Sequence, residues 1–120
     1  MSQWVDQQDA ISRICGSTIN FMQFIVDYLI IGFSEKGAIS VFVWPEVYYS
    51  GKKLKYQESG YRDALCSLIG EIIKIANIDE NEVINLEMNS GNKLLIQLRD
   101  YRREGERAIL TAPGHYIYTF

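Results

Sequence analysis

The sequence predicts an α+β fold, built as two tandem helix-plus-antiparallel-β units within a single domain over residues 1–120. Residues 9–19 (DAISRICGSTI) and 63–73 (DALCSLIGEII) share Asp, Ala, Gly and Ile at positions 54 apart. Each copy is followed by two alternating apolar runs around a glycine, the pattern of a β-hairpin. We place the units at about 5–57 and 59–112, before a final hairpin to residue 120. A pseudo-twofold axis would let them share one core.

Each unit begins with a predicted helix, at residues 5–15 and 60–70. Apolar side chains in both segments recur at helical spacing. Gly16 and Gly70 end the two segments, and a glycine in the left-handed conformation is a common way to terminate a helix. We therefore expect both glycines to act as C-caps.

Strands follow each helix. The predicted strands and hairpins are 17–25, 28–43, 46–50, 53–56, 71–78, 83–98, 107–112 and 115–120. Gly37 and Gly91 supply the positive φ that the turns of the two long hairpins require, and Pro113-Gly114 supplies the turn of the last hairpin. The connections are short, which favours antiparallel pairing throughout.

Cysteine usage and apolar runs indicate a cytoplasmic protein without a membrane partner. Cys15 and Cys66 lie one in each helical segment, a spacing that fits neither a disulfide framework nor a metal site, so we interpret them as buried, reduced thiols. The N-terminal residues lack the basic and apolar regions of a secretory signal. The most apolar run, 21–33, is too short for a membrane span and contains Gln23 and Asp27.

The charge distribution favours a protein partner over nucleic acid. Residues 1–51 carry five acidic and two basic side chains, whereas residues 52–120 carry ten of each, which gives the formal charge of −3. Nucleic-acid binding uses a basic stripe, which this distribution does not provide. A mildly acidic protein is compatible with a basic partner.

The sequence contains no recognisable catalytic, metal-binding or cofactor-binding motif. His115 is the only histidine, so a multi-histidine metal site is excluded. The glycines are isolated at turns and caps rather than grouped in a phosphate-binding loop. We expect no enzymatic activity and no cofactor, with an enzyme of unrecognised site as an open alternative.

The two long hairpins differ on the side that faces away from the predicted core. The outward positions of the second hairpin are polar: Asn85, Glu87, Gln97 and Arg99. The matching positions of the first hairpin are Ile30, Gly32, Phe42 and Trp44, with Tyr28 and Ser40 beside them. Either a helix or the N-terminal segment with Trp4 covers this hairpin, or it is a partner surface. In the second case a homodimer could form through Tyr28, Ile30, Phe42 and Trp44.

The stretch WPEVYY (44–49) combines aromatic residues with a carboxylate just beyond a predicted strand. Aromatic side chains carry much of the binding energy at interfaces, so Trp44, Tyr48 and Tyr49 are candidate anchors. Acidic residues near connections would supply charge to a basic partner, namely Glu46, Asp79, Glu80 and Glu82. The alternative interpretation places Trp44 and one tyrosine in the core.

The C-terminal half contains a helix that ends in LIGEII (68–73), the hairpin NSGNKLLIQL (89–98), GERAIL (105–110) and the closing APGHYIYTF (112–120). This pattern resembles small immunity proteins of bacterial contact-dependent growth inhibition and polymorphic toxin systems. The resemblance implies an inhibitor that binds a cognate toxin, frequently a nuclease. Glu106 would match a late glutamate of that family, whereas the family's final glycine pair is here Gly114-His115. A homo-oligomeric ligand-binding or structural module without catalytic activity is the alternative function.

Overall fold

The computed structural model describes residues 3–99, 105–113 and 116–120. Gly114 of the predicted Pro113-Gly114 turn and His115 therefore lie outside the described residues. Within these residues the chain forms two short helices and ten strands. They are α1 (Gln3–Ser12), β1 (Ile19–Phe24), β2 (Leu29–Phe33), β3 (Gly37–Val41), β4 (Glu46–Tyr49), β5 (Lys52–Leu54), α2 (Tyr61–Cys66), β6 (Ile73–Ile78), β7 (Val83–Met88), β8 (Lys93–Gln97), β9 (Ala108–Ala112) and β10 (Tyr116–Thr119). The α+β class is confirmed.

The strands form two antiparallel sheets of five strands each. Sheet I has the order β1-β2-β3-β9-β10, and sheet II has the order β5-β4-β8-β7-β6. An isolated antiparallel bridge between Thr18 and Ile72 joins the two sheets where β1 and β6 begin. The predicted antiparallel pairing is therefore confirmed, and the two sheets are connected at one pair of edges.

Strands β1–β2–β3 of sheet I and strands β6–β7–β8 of sheet II pair in corresponding registers. Leu29 pairs with Val41 in sheet I, and Ile84 pairs with Ile96 in sheet II, 55 positions later in the chain. A register shift interrupts the pairing after the first residue of β1 and again after the first residue of β6. Leu29 and Ile84 thus occupy matching places on matching strands.

The terminal hairpin of each half lies on the sheet of the other half. The hairpin β4–β5 pairs with β8 of sheet II, whereas β9–β10 pairs with β3 of sheet I. Pro45 lies between β3 and β4, and a proline cannot donate a backbone hydrogen bond to continue a ladder. Neither sheet is therefore built from one contiguous half, and the expected unit boundaries, 5–57 and 59–112, do not coincide with the sheets.

The hydrophobic core combines alternate residues of both sheets with one side of each helix. Ile31, Ile39, Leu86 and Leu94 are fully buried at its centre. Each helix contacts both sheets: α1 packs against β6 and β10, and α2 packs against β4 and β1. Neither helix in the described ranges is long and apolar enough to span a membrane.

The predicted glycine caps have the backbone conformation that the sequence indicates. Gly16 has φ +87° and Gly70 has φ +94°. The regular helices end earlier, at Ser12 and Cys66, and turns continue the chain to the glycines. Each glycine N–H donates to the opposite half, from Gly16 to the Ile73 carbonyl and from Gly70 to the Ile19 carbonyl, both at 2.8 Å. These glycines therefore end the helical segments and also connect the two halves.

The predicted burial of the two thiols is wrong. Cys15 and Cys66 are both free and exposed. In the helical segments the core positions are taken by neighbouring residues, Ile14 and Leu65, which are almost fully buried. The apolar residues of such short helical segments do not determine which of two neighbouring positions faces the core, and in the structure both thiols face outward.

Candidate protein-binding surface

A cleft of about 560 Å³ lies where the chain leaves β3, and we call it the aromatic cleft. It is lined by Phe42, Val43, Trp44, Glu46, Lys55, Tyr56, Gln97 and Arg99. The Trp44 and Tyr56 rings are stacked, with centroids 4.5 Å apart and an interplanar angle of 3°. Trp44 is half-buried, and Tyr56 keeps 38% of its surface exposed. The cleft thus presents a pre-formed aromatic surface.

A buried tyrosine fixes the segment that carries Trp44 and Glu46. The Tyr61 hydroxyl donates a hydrogen bond to the Pro45 carbonyl, and the Tyr61 side chain is 2% exposed. Burial, followed by the charges of Tyr56 and Glu46, raises the pKa of Tyr61, so the hydroxyl keeps its proton. The Tyr61 ring also meets the Tyr56 ring edge-on, with centroids 6.0 Å apart. Tyr61 therefore holds both sides of the Trp44–Tyr56 stack.

The cleft combines matching positions from the two halves of the chain. Phe42 and Trp44 follow β3, and Gln97 and Arg99 stand at the corresponding positions at the end of β8. The first half thus supplies an aromatic wall and the second half supplies a polar wall. The Phe42 ring also packs on Tyr28, with centroids 5.2 Å apart.

Two ion pairs border the cleft. The Glu46 carboxylate lies 2.9 Å from Lys53 Nζ, and the hydrogen bond and charge of Glu46 raise the pKa of Lys53. Arg99 Nε lies 2.8 Å from Glu82 Oε2. Because Lys55 also lines the cleft, its charge is mixed rather than uniformly acidic.

The acidic turn between β6 and β7 adjoins the cleft through the Arg99–Glu82 pair. The Asp79 carboxylate accepts hydrogen bonds from the backbone N–H groups of Asn81 (2.8 Å) and Val83 (3.2 Å), and from the Asn85 side chain (3.2 Å). Partial burial raises the pKa of Asp79, but the hydrogen bonds to its carboxylate lower the pKa by more, so the net shift is downward. Asp79 is therefore a structural residue of the turn, whereas Glu80 is exposed.

We expect the contribution of Asp79 to stability to depend on pH. Because its pKa is lowered in the folded state, its contribution is present above the unfolded value of about 4 and is lost as the pH falls through the folded pKa. Urea unfolding of Asp79→Ala should show a stability deficit at pH 7 that narrows towards pH 2. Glu80→Ala is the matched control and should show no such narrowing. An Asp79→Ala deficit that stays constant with pH would contradict this assignment.

Most of the predicted binding residues meet at this end of the molecule. Trp44 and Glu46 line the aromatic cleft, and Arg99 links it to Glu82. Glu82 and Glu106 line a second depression together with Gln7, Leu98, Gly105, Arg107, Thr119 and Phe120. The turn residues Asp79, Glu80 and Glu82 complete this region.

The two remaining predicted residues lie elsewhere. Tyr48 projects from the outer face of sheet II, where Lys53 lies 5.7 Å from its ring centroid. Tyr49 packs against the hydrophobic core. Sequence reasoning missed Tyr56 and Arg99 as cleft residues. Their only sequence signals were an aromatic residue after KKLK and an outward position on a hairpin.

The outer face of sheet I is a second candidate surface, which we call the neutral face. Its outward residues alternate with the buried core residues and carry no formal charge: Phe21, Gln23, Ile30, Gly32, Ala38, Ser40, Ile109, Thr111, Ile117 and Thr119. The Phe21 ring of β1 lies directly over Gly32, so part of the cover on the first hairpin comes from its own sheet. Phe21 and Ile117 remain 42% and 64% exposed.

Among the described side chains, no group of three or more His, Cys, Asp or Glu residues is placed to hold a metal ion. Comparison of the chain with known protein families, curated proteins and solved structures gives no match.

Proposed function

We propose that this chain is an immunity protein that binds a cognate bacterial toxin domain in the cytoplasm and neutralises it by protein–protein contact. It would act without catalysis, cofactor or metal, and we expect the toxin to be a nuclease. The observation that carries this proposal is the aromatic cleft with its adjoining acidic turn. There, Glu82 borders one continuous region with Trp44 and Glu46, although it lies far from both in the sequence.

The aromatic cleft has the properties of an interface anchor. Trp44 and Tyr56 are already stacked, and Tyr61 fixes the backbone beneath them. Binding would therefore require little further ordering of these side chains, so less conformational entropy would be lost on association. Half-buried aromatic residues at the centre of an interface are typical hot spots.

The acidic residues around the cleft suit a basic partner. A nuclease presents a basic site to its substrate phosphates, and carboxylates on an inhibitor accelerate encounter with such a site. Glu80 is exposed at the tip of the turn and would contribute to this steering. Glu46 and Glu82 already face Lys53 and Arg99, so a basic partner would compete for them.

We infer in addition that the two halves of the chain are copies of one unit. The sequence identity between residues 9–19 and 63–73 supports this inference, as do the corresponding registers of β1–β2–β3 and β6–β7–β8. The aromatic cleft lies between matching positions of the two copies. Divergence there, from Gln97 and Arg99 in one copy to Phe42 and Trp44 in the other, would then have created the binding surface.

Co-expression tests the proposal. We expect the partner to be the C-terminal domain encoded by the gene immediately upstream, and the test produces that domain with and without this protein in the same cells. We expect growth arrest by the domain alone and rescue by the intact protein. Arrest that this protein does not relieve, or a domain that does not bind the purified protein, would contradict the proposal.

Charge reversal tests the steering role of the acidic turn. Glu80→Lys should slow association with that domain at low salt, and the difference should shrink at high salt because exposed charges are screened. Glu35→Lys is the matched control, since Glu35 is an exposed carboxylate in the β2–β3 turn at the opposite end of the first hairpin. Equal association rates for the two variants would contradict the role of Glu80.

A further inference from the structure

We propose that the neutral face of sheet I binds the same face of a second copy, forming a weak twofold-symmetric homodimer. The dimer does not depend on toxin binding, because the neutral face is separate from the aromatic cleft except at Phe42, which borders both. Ile30 lies on the neutral face, and the Tyr28–Phe42 ring pair lies at its end.

The two sheets differ at matching outward positions. Where sheet II has Glu87 paired with Lys93, sheet I has Gly32 paired with Ala38. Sheet II further carries Glu46 and Lys53 at the positions that Ile109 and Ile117 occupy in sheet I. The same backbone arrangement therefore carries four charged side chains on one face and none at the matching positions of the other.

Two large apolar side chains of the neutral face remain exposed. Ile117 lies on the last strand of sheet I and is 64% exposed, and Phe21, which covers Gly32, lies on the opposite edge strand and is 42% exposed. Gly32, Ala38 and Thr111 lie between them in one row across the sheet, so the two side chains stand at the ends of an uncharged strip. Exposed apolar side chains of this kind are a feature of interaction sites. These two residues would be buried when the face is covered.

A second copy is the occupant that the chemistry of the face favours. A charged partner surface would leave its charges buried against side chains that cannot pair with them, which is unfavourable. The sheet II face is such a surface, because it carries Glu46, Lys53, Glu87 and Lys93. Twofold pairing places the neutral face against itself and requires no complementary charge.

The size of the face indicates a weak association. Five strands about 4.8 Å apart, each about five residues long, project onto roughly 350 Å² per copy. Side chains that project from the sheet add to this area, as does the Tyr28–Phe42 pair. The total for two copies nevertheless stays below the roughly 1,200 Å² that stable complexes bury. We therefore expect a dimer that dissociates on dilution.

Sedimentation velocity between about 5 and 500 µM tests the proposal. The wild type should shift from monomer to dimer with concentration. Ile117→Lys and Thr111→Lys should raise the dissociation constant at least tenfold. Both positions are exposed, and Ile117→Lys reproduces the lysine that sheet II carries at position 53, so folding should be retained. Asn77→Lys on the outer face of sheet II is the matched control and should dimerise like the wild type.

Either of two results would overturn the proposal. The wild type could remain monomeric over the whole range, or the lysine variants could dimerise as well as the wild type. If the wild type is monomeric and Ile117→Lys, but not Asn77→Lys, loses binding to the upstream-encoded domain, the toxin is the occupant of this face.

Discussion

Replacement of Gly37 by alanine is expected to destabilise the folded protein by about 2–5 kcal/mol. Gly37 has φ +93°, a conformation that costs a residue with a Cβ about 1–2 kcal/mol. The Thr111 carbonyl of β9 also occupies the place where the Cβ would lie. Because this obstacle is backbone, β3 and β9 would have to separate, and overpacking of this kind costs roughly 1–3 kcal/mol more. Urea unfolding followed by tryptophan fluorescence measures the loss.

Gly91→Ala is the matched control for this substitution. Gly91 lies in the corresponding turn between β7 and β8 with φ +94°, but nothing lies within 4 Å of the place that an alanine Cβ would take. Its replacement should cost only about 1–2 kcal/mol, from the backbone conformation alone. The difference between the two variants arises because Gly37 lies against the backbone of β9, whereas Gly91 lies in a turn with open space around it. Equal losses for both variants would contradict the close contact between Gly37 and the Thr111 carbonyl.

Replacement of Trp44 by alanine is expected to weaken binding of the proposed toxin partner by at least about 2 kcal/mol, or roughly 30-fold in the dissociation constant. The Trp44 ring forms one layer of the stack with Tyr56 and contacts the edge of the core, so its removal empties the centre of the aromatic cleft. The loss should appear mainly as faster dissociation. Tyr56→Ala should act in the same direction, because it removes the other layer.

Phe21→Ala separates this effect from a general loss of aromatic surface. Phe21 is 42% exposed on the neutral face, away from the cleft. Its replacement should leave the affinity for the toxin domain unchanged, whereas Trp44→Phe should retain part of the binding energy. If Phe21→Ala weakened binding as strongly as Trp44→Ala, the toxin would not be held by the aromatic cleft. Thermal unfolding of each variant should accompany the titration, since Trp44 also supports the fold.

The sequence predicts the local elements of this fold well, because their signals are local. Apolar alternation around Gly37 and Gly91 predicts both hairpins, and both glycines have positive φ in the structure. The partners of the edge strands are not local. Val47 and Leu110 are both buried residues on strands of alternating pattern, and either could have paired with Leu94. The residue types of these two strands therefore do not determine which of them pairs with β8.

The candidate surface is predicted only in part for the same reason. Trp44 and Glu46 lie together in the sequence and can be recognised there. Tyr56 reaches Trp44 because α2 places Tyr61 beneath both, and Arg99 reaches the cleft because β8 ends next to it. Such proximity depends on the packing of the two halves, which a single sequence does not reveal. Likewise, the turn hydrogen bonds of Asp79 become visible only in the structure.

Hydrogen–deuterium exchange of this protein, alone and mixed with the upstream-encoded toxin domain, tests the proposed function most directly. The result we predict is a complex in which the exchange of residues 42–46, 79–82 and 97–99 slows, because these segments border the aromatic cleft and the acidic turn. Strands β9 and β10, which carry part of the neutral face, should exchange as they do in the free protein. Absence of a complex, or slower exchange confined to β9 and β10, would contradict the assignment of the aromatic cleft as the toxin-binding surface.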